Sequence, residues 1–363
     1  VSAPQRLTLL LLFAALLPGG RAWAEPYISV RTGQPCGACH VNPTGGGLRT
    51  VFGDSYSQTQ MPQQQIDMGM PEMWLGNVGQ FLRAGGNFRD DFTWTNVPHQ
   101  KNADSFGIED FRLYGAATLL QDRLNLYVDE RIAPGGTQNR EAYALLWLFQ
   151  RRFYVKAGQL YLPYGWRLQD DEALVRQASA INYTTPDNGV ELGWQKGAWT
   201  AQLAITNGSA GASETNQGKQ LTANLAYLQP GWRLGLSYSD NEASSGRRQM
   251  EALYAGLRTG PIAWLAEADY IADSSVQPRS DQYAGLLEAD WAFLPGNNLK
   301  LTAEYLDPST HVAHDGQNRF SVVWEYTPIQ FVQTRLGLRN YDGIPQDDLD
   351  NRREAFAELH VFF

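Results

Sequence analysis

Two cysteines in 363 residues are too few to staple a chain of this length, so a disulfide-built scaffold is excluded. Positive charge is also short: 29 Lys and Arg stand against 38 Asp and Glu, a formal net charge of −9. That balance argues against nucleic acid as a partner and against an anion-attracting surface. Long apolar runs are missing too. Beyond the first 24 residues no stretch approaches the roughly 18 apolar residues of a transmembrane helix. What the chain does hold is aromatic side chains, 12% of it with 11 Trp and 17 Tyr, and a hydrophobic share of 43% that excludes general disorder.

The amino terminus carries an export pattern. Arg6 supplies positive charge, Leu7 to Leu17 form an apolar run, and Ala22-Trp23-Ala24 places small residues before Glu25. Residues 1–24 therefore read as a secretory signal cut after Ala24. The run is too short for a spanning anchor.

From residue 76 to Phe363 one pattern repeats: eight to twelve alternating residues, then a turn. In the clearest strands one face is apolar (Tyr283, Leu287, Ala289, Trp291; Leu299, Leu301, Ala303, Tyr305; Phe320, Val322, Trp324, Tyr326). The opposite face carries Glu288, Asp290, Lys300, Thr302, Glu304, Ser321 and Glu325. Alternation of period two marks half-buried strands, in a soluble sandwich or a barrel alike. Sixteen strands can be counted, the first over 76–90 and the last over 353–363. Their connections alternate between short turns, such as Lys196-Gly197 and Gly260-Pro261, and long polar loops, including 91–105, 161–188 and 342–352. That sorting points to an all-β, sixteen-stranded antiparallel transmembrane barrel, short turns in the periplasm and long loops outside. Lys156 to Gly165, with Gly158-Gln159 and Pro163-Tyr164-Gly165, resembles a segment of phosphate-selective-type porins. Phosphate selectivity does not carry over, because Arg112, Arg131, Lys156, Arg335 and Arg339 are matched by acids such as Asp129, Glu267 and Glu304.

Between signal and barrel, residues 25–75 contain Cys36-Gly-Ala-Cys39-His40. C-x-x-C-H is the attachment pattern of c-type haem, in which two thiols take the vinyl groups and the histidine is the proximal iron ligand. Zinc would want four ligands, and a thioredoxin-like disulfide would want a βαβ setting; neither is present. One covalent haem c on Cys36, Cys39 and His40 is expected. The sixth ligand stays open among Met61, Met68, Met70, Met73 and His360, with gap-filling as the other role for the methionines. A segment of about 50 residues is marginal as an independent fold, so it is expected to dock at the barrel mouth as a plug. Gly45-Gly46-Gly47 lacks the context of a phosphate loop and reads as backbone packed close to haem or wall.

Taken together, a signal, one C-x-x-C-H segment led by Arg31-Thr32-Gly33 and trailed by Gly46-Gly47-Leu48 and Phe52-Gly53, and a barrel resemble the fused monohaem cytochrome–porins of iron-oxidising bacteria. The resemblance implies an electron conduit in the outer membrane of a Gram-negative bacterium, with the haem segment in the lumen or on the periplasmic side. Extracellular Fe(II) or another redox donor would be oxidised and a periplasmic c-type cytochrome or other soluble carrier reduced, an Fe(II):cytochrome c oxidoreductase in effect. Partners would also include outer-membrane lipid but no nucleic acid. Asn42-Pro43-Thr44 departs from the family's run after the motif, which leaves donor and direction open. Two other functions fit the same residues: a solute-diffusion porin with a haem-bearing plug or redox sensor, and a barrel partner of separate multihaem cytochromes. Acidic runs at Asp170-Asp171-Glu172 and Asp347-Asp348 are candidates for gathering cations at the mouth. Amino-terminal sequencing of the exported protein should begin at Glu25; a start at any earlier residue contradicts the signal assignment.

Overall fold

The computed structural model describes residues 25–363 except 68, 70–72, 121–122 and 215. The expected signal peptide and the candidates Met68 and Met70 thus lie outside the described residues. Sixteen strands close into one antiparallel barrel, each paired with its chain neighbours and the first with the last. They are β1 (Leu82–Asn96), β2 (Ala103–Leu119), β3 (Leu124–Ala133), β4 (Gln138–Leu148), β5 (Phe153–Leu160), β6 (Asp187–Lys196), β7 (Trp199–Thr206) and β8 (Gln220–Gln229). The second half runs β9 (Trp232–Ala243), β10 (Gly246–Thr259), β11 (Ile262–Asp273), β12 (Ser280–Leu294), β13 (Asn297–Asp307), β14 (Gln317–Ile329), β15 (Val332–Asp342) and β16 (Arg353–Phe362).

The pleat explains the burial. Leu287, Leu301, Phe320, Val322 and Trp324 point outward and are exposed, while Glu288, Asp290, Lys300, Glu304 and Glu325 point inward and are buried. A surface this apolar suits lipid rather than water. Exposed Trp199, Trp232, Trp291 and Trp324 stand near the short turns as part of an aromatic girdle. Among the described residues no helix is long and apolar enough to cross a membrane.

Three expectations need correction. The first strand starts at Leu82 rather than 76, because Gly76 and Gly79 take positive φ (73° and 99°) and turn residues 76–81 back on the strand start. At its other end β1 runs on through Asp91 to Asn96, paired with β2, so the expected loop 91–105 shrinks to 97–102. Above the lipid band both faces of a hairpin meet water, and a polar strand there looks like a loop. For the same reason the alternation of long and short connections is not strict: 134–137 and 244–245 are tight turns at the long-loop end.

The described residues of 25–81 form a plug with helices α1 (Pro26–Thr32), α2 (Cys36–Cys39) and α3 (Val51–Thr59). It docks at the short-turn end. Gly231 N–H donates to Val30 O at 2.9 Å, Arg31 donates to Pro261 O at 2.8 Å, and Gln63 N–H donates to Thr327 O at 2.8 Å. Lys300 of the wall pairs with Glu25. The long connection 161–186, carrying α4 (Leu174–Ser179), turns into the lumen and packs on β11 to β13. Plug and inward loop meet in an apolar cluster that includes Tyr27, Val30, Met61, Trp166, Val175, Tyr254 and Leu265.

Placing a charge on the outer face at mid-strand should cost the lipid-embedded barrel about 2–4 kcal/mol. Leu287→Lys is therefore expected to lower unfolding stability in bilayers by that much, while Phe106→Lys, on the β2 stretch beyond the band, should change little.

Candidate functional site

Pro35 precedes α2, and a single turn of helix puts Cys36 and Cys39 three residues apart on one face. His40 leaves the helix in extended conformation with its N–H donating to Cys36 O at 2.9 Å. The chain then turns back through Gly45, Gly46 and Gly47, all at positive φ, so that His40 bridges Arg49 and Val41 N–H donates to Leu48 O at 2.9 Å. The glycine run packs close on both sides as expected. A Cβ on Gly45 would stand 3.5 Å from Cys36 Sγ, and one on Gly47 would overlap the Tyr127 hydroxyl of the wall.

α3 clamps the motif from the other side. Thr50 N–H donates to Cys39 O at 2.9 Å, and its hydroxyl donates to Ala38 O at 2.6 Å while accepting from Gly53 N–H at 3.1 Å as the helix cap. A Cβ on Gly53 would come 2.1 Å from Cys39 O, so only glycine lets this helix lie against α2.

Cys36, Cys39, His40 and Met61 line one cavity of about 1550 Å³, counting the solvent at its mouth. Pro43, Tyr56 and the inward-loop residues Tyr161 to Leu168 complete it, and apolar surface dominates. Both cysteines are free thiols. Burial, with Cys36 adding, pushes the Cys39 thiol up to about 11, so it stays protonated. Burial, with Arg49 and Arg167 adding, pushes the His40 imidazole down to about 3. The ring is thus neutral, with the backbone of Gly46 and Gly47 against it. A neutral imidazole and two unbridged thiols on the edge of an apolar cavity fit a haem: large, flat, apolar, and in need of a ring nitrogen.

The cavity wall brings residues the motif did not announce. Arg233 Nη1 stands 3.9 Å from Cys36 Sγ, its guanidinium over the rings of Trp166 and Tyr254 at 5.0 and 5.4 Å. Arg167 stacks on Tyr161 and Tyr183 at 4.3 and 4.7 Å and donates to Thr44 Oγ1 at 2.9 Å. The porin-like segment 156–165 was the one sequence signal for them, since it delivers Tyr161, Pro163 and Gly165 to the cavity.

The ligand candidates separate. Met61 is 4% exposed and shares the cavity with His40. Met73 is 42% exposed and does not line it. His360 points inward from β16, but its Nδ1 lies 3.0 Å from Gln333 Oε1 and its Nε2 2.5 Å from Asn87 Oδ1, so both ring nitrogens are engaged. His360 lines instead a second, polar cavity of about 1680 Å³ against β1, β2, β15 and β16, which also touches His40 and Met61.

Inward charges pair mostly with neighbours on the wall, the plug and the inward loop. Lys156 lies 2.8 Å from Glu191, Arg112 3.4 Å from Asp129, and Arg335 3.1 Å from Glu358. The plug joins these networks: buried Asn42 donates to Glu141 at 2.9 Å and accepts from Lys156 at 3.3 Å. Asp170 and Glu172 are not a free acidic run at the mouth, because Arg319 and Arg339 hold Asp170 at 2.8 and 3.2 Å and Arg339 reaches Glu172 at 3.3 Å.

Fold and geometry together define a closed sixteen-stranded barrel of porin type whose lumen holds a C-x-x-C-H plug. Solved structures share the barrel. The outer membrane protein OmpT of Vibrio cholerae aligns at TM-score 0.61 and 11% identity, over 78% of this chain and 99% of that one. OmpF of Salmonella typhi, solved with daunomycin, gives 0.59 at 12% identity over 78% and 97%. An anion-selective porin from Comamonas acidovorans gives 0.59 at 11% over 78% and 99%. At these identities the likeness is one of fold. No protein-family model and no curated protein matches the chain.

Gly53→Val should unseat α3 from α2. Limited proteolysis is expected to cut the plug of that variant while the barrel keeps its heat-modifiable migration; equal protection of both proteins would contradict the packing argument.

Proposed function

We propose that this chain is an outer-membrane electron conduit in which one haem c, held in the barrel lumen, passes electrons between an extracellular donor and a periplasmic carrier. One observation carries the reading: Cys36, Cys39, His40 and Met61 converge on a single apolar cavity where the plug meets the lumen. In this reading the Cys36 and Cys39 sulfurs would hold the haem covalently through its two vinyl groups. His40 with its neutral ring nitrogen and Met61 with its sulfur are the two cavity residues that would hold the iron. Bound haem c supplies one-electron exchange between ferric and ferrous iron. Trp166 and Leu162 give the cavity apolar lining, and Arg233 and Arg167 set positive charge beside it; both would favour the ferrous form of a bound haem and raise its potential. Fe(II) is the donor the motif resemblance points to, and the acidic long-loop residues Asp347, Asp348 and Asp350 would draw cations to that end.

The second cavity favours another reading, a porin in which solutes pass the plug along β1 and β16. Planar-bilayer conductance separates the two: a closed pore supports the conduit, and porin-sized steps with the plug in place support diffusion. The lumen space that a separate multihaem partner would need is taken by the plug and the inward loop.

Anaerobic addition of Fe(II) to the air-oxidised protein should bring up sharp reduced c-type bands within the mixing time. A haem reduced by dithionite and not by iron would remove Fe(II) as donor. Met61→Ala should abolish the red charge-transfer absorption of a methionine-ligated ferric haem and lower the potential, while Met73→Ala should leave both unchanged.

A further inference from the structure

Resting on the reading just given, we infer that the short-turn face around α2 is a docking surface for an acidic soluble electron-carrier protein. Four successive short turns form an arc beside the haem helix, and their exposed charged side chains are all basic. Arg151 and Arg152 lie on the β4–β5 turn, Lys196 ends β6, and Arg258 lies near the end of β10. The described residues of turns 149–152, 196–198, 229–231 and 258–261 include no Asp or Glu.

The arc is continuous with the site. A Cβ on Gly37 would lie 3.7 Å from Gln195 Nε2, and one on Gly33 would strike Pro230, so α2 and the end of α1 lie against these turns. Arg258 donates to Arg31 O of the plug at 3.3 Å, and Arg151 stacks over the inward-facing Trp147 at 4.9 Å, which keeps its charge at the mouth. Next to the motif, Val51 and Phe52 open α3 and are about half exposed, at 48% and 51%. An apolar centre with a charged rim is the anatomy of a transient protein interface, and a rim of one sign selects a partner of the other. The opposite end of the barrel carries acids such as Asp104, Asp315 and Asp347, so the two ends differ in sign. An acidic carrier is thereby steered to the end where the cysteines lie.

The test measures association, which does not need the haem, so its failure is distinct from failure of the conduit reading. The full chain is held in nanodiscs of uncharged phosphatidylcholine, with plastocyanin as the acidic redox probe. Plastocyanin is expected to bind, and to lose roughly tenfold or more in affinity between about 10 and about 300 mM salt. The triple variant Arg151→Gln, Arg152→Gln, Lys196→Gln, checked for an intact heat-modifiable barrel, should weaken plastocyanin by a comparable factor. It should not alter binding of basic cytochrome c at the acidic end. Salt-independent binding, or an unchanged triple variant, would overturn the proposal. So would a variant that loses only retention on anionic phospholipid vesicles, since the arc would then be a lipid contact.

Discussion

A strand in hydrocarbon must find every backbone hydrogen bond within the protein, and this chain meets that demand by pairing β1 with β16 from Asn87–Phe362 to Asn96–Arg353. Closure dictates the rest. Once the ladder has no edge, one side of every strand faces lipid and the other a lumen about the width of a small folded segment. The outward side becomes leucine, valine and aromatic. The inward side collects carboxylates and guanidinium groups, which are affordable there only because neighbours on adjacent strands pair with them, as Arg319 does with Glu304. A marginal segment of some 50 residues can then fold against that wall, using Asn42, Glu25 and Arg31 to enter its polar network and Tyr27 and Val30 to meet the inward loop.

Much of this was legible in the sequence because its signals are local. Period-two alternation placed the strands from β3 onward to within a few residues, and Tyr283 to Trp291 or Phe320 to Tyr326 face outward as their parity requires. The failures are local as well. Gly76 and Gly79 sit in alternating surroundings yet bend the chain by positive φ, and Asp90 to Thr95 go on pairing with β2, past a bulge at Arg89, although their composition is that of a loop. The C-x-x-C-H motif was visible for the same reason, being five consecutive residues. Its surroundings were not. Arg233 lies 197 positions from Cys36 and Trp166 more than a hundred, and only the porin-like segment just before Trp166 gave any local sign of them. Asp170 and Glu172 misled in the same way, since their partners Arg319 and Arg339 stand on strands far along the chain.

The resulting molecule is polar in two senses. Its long-loop end is acidic and its short-turn end is basic around the cysteine helix, so opposite charges are drawn to opposite ends. Its interior grades from charged wall to apolar centre, where the thiols and a neutral imidazole are held. Each feature follows from closure of the barrel: the sorting of turns from loops, the inverted lumen, and the niche that a short plug can fill.

The conduit depends first on a haem joined to this chain, and the most direct test is the mass of the peptide that spans Cys36 to His40 in protein produced with a haem-attachment apparatus. The account expects that peptide to carry the mass of one haem through both sulfurs, and to lose it in the Cys36→Ser, Cys39→Ser variant while the barrel still folds. A peptide of unmodified mass, with free or disulfide-bonded cysteines, would contradict the central claim and leave a plugged porin.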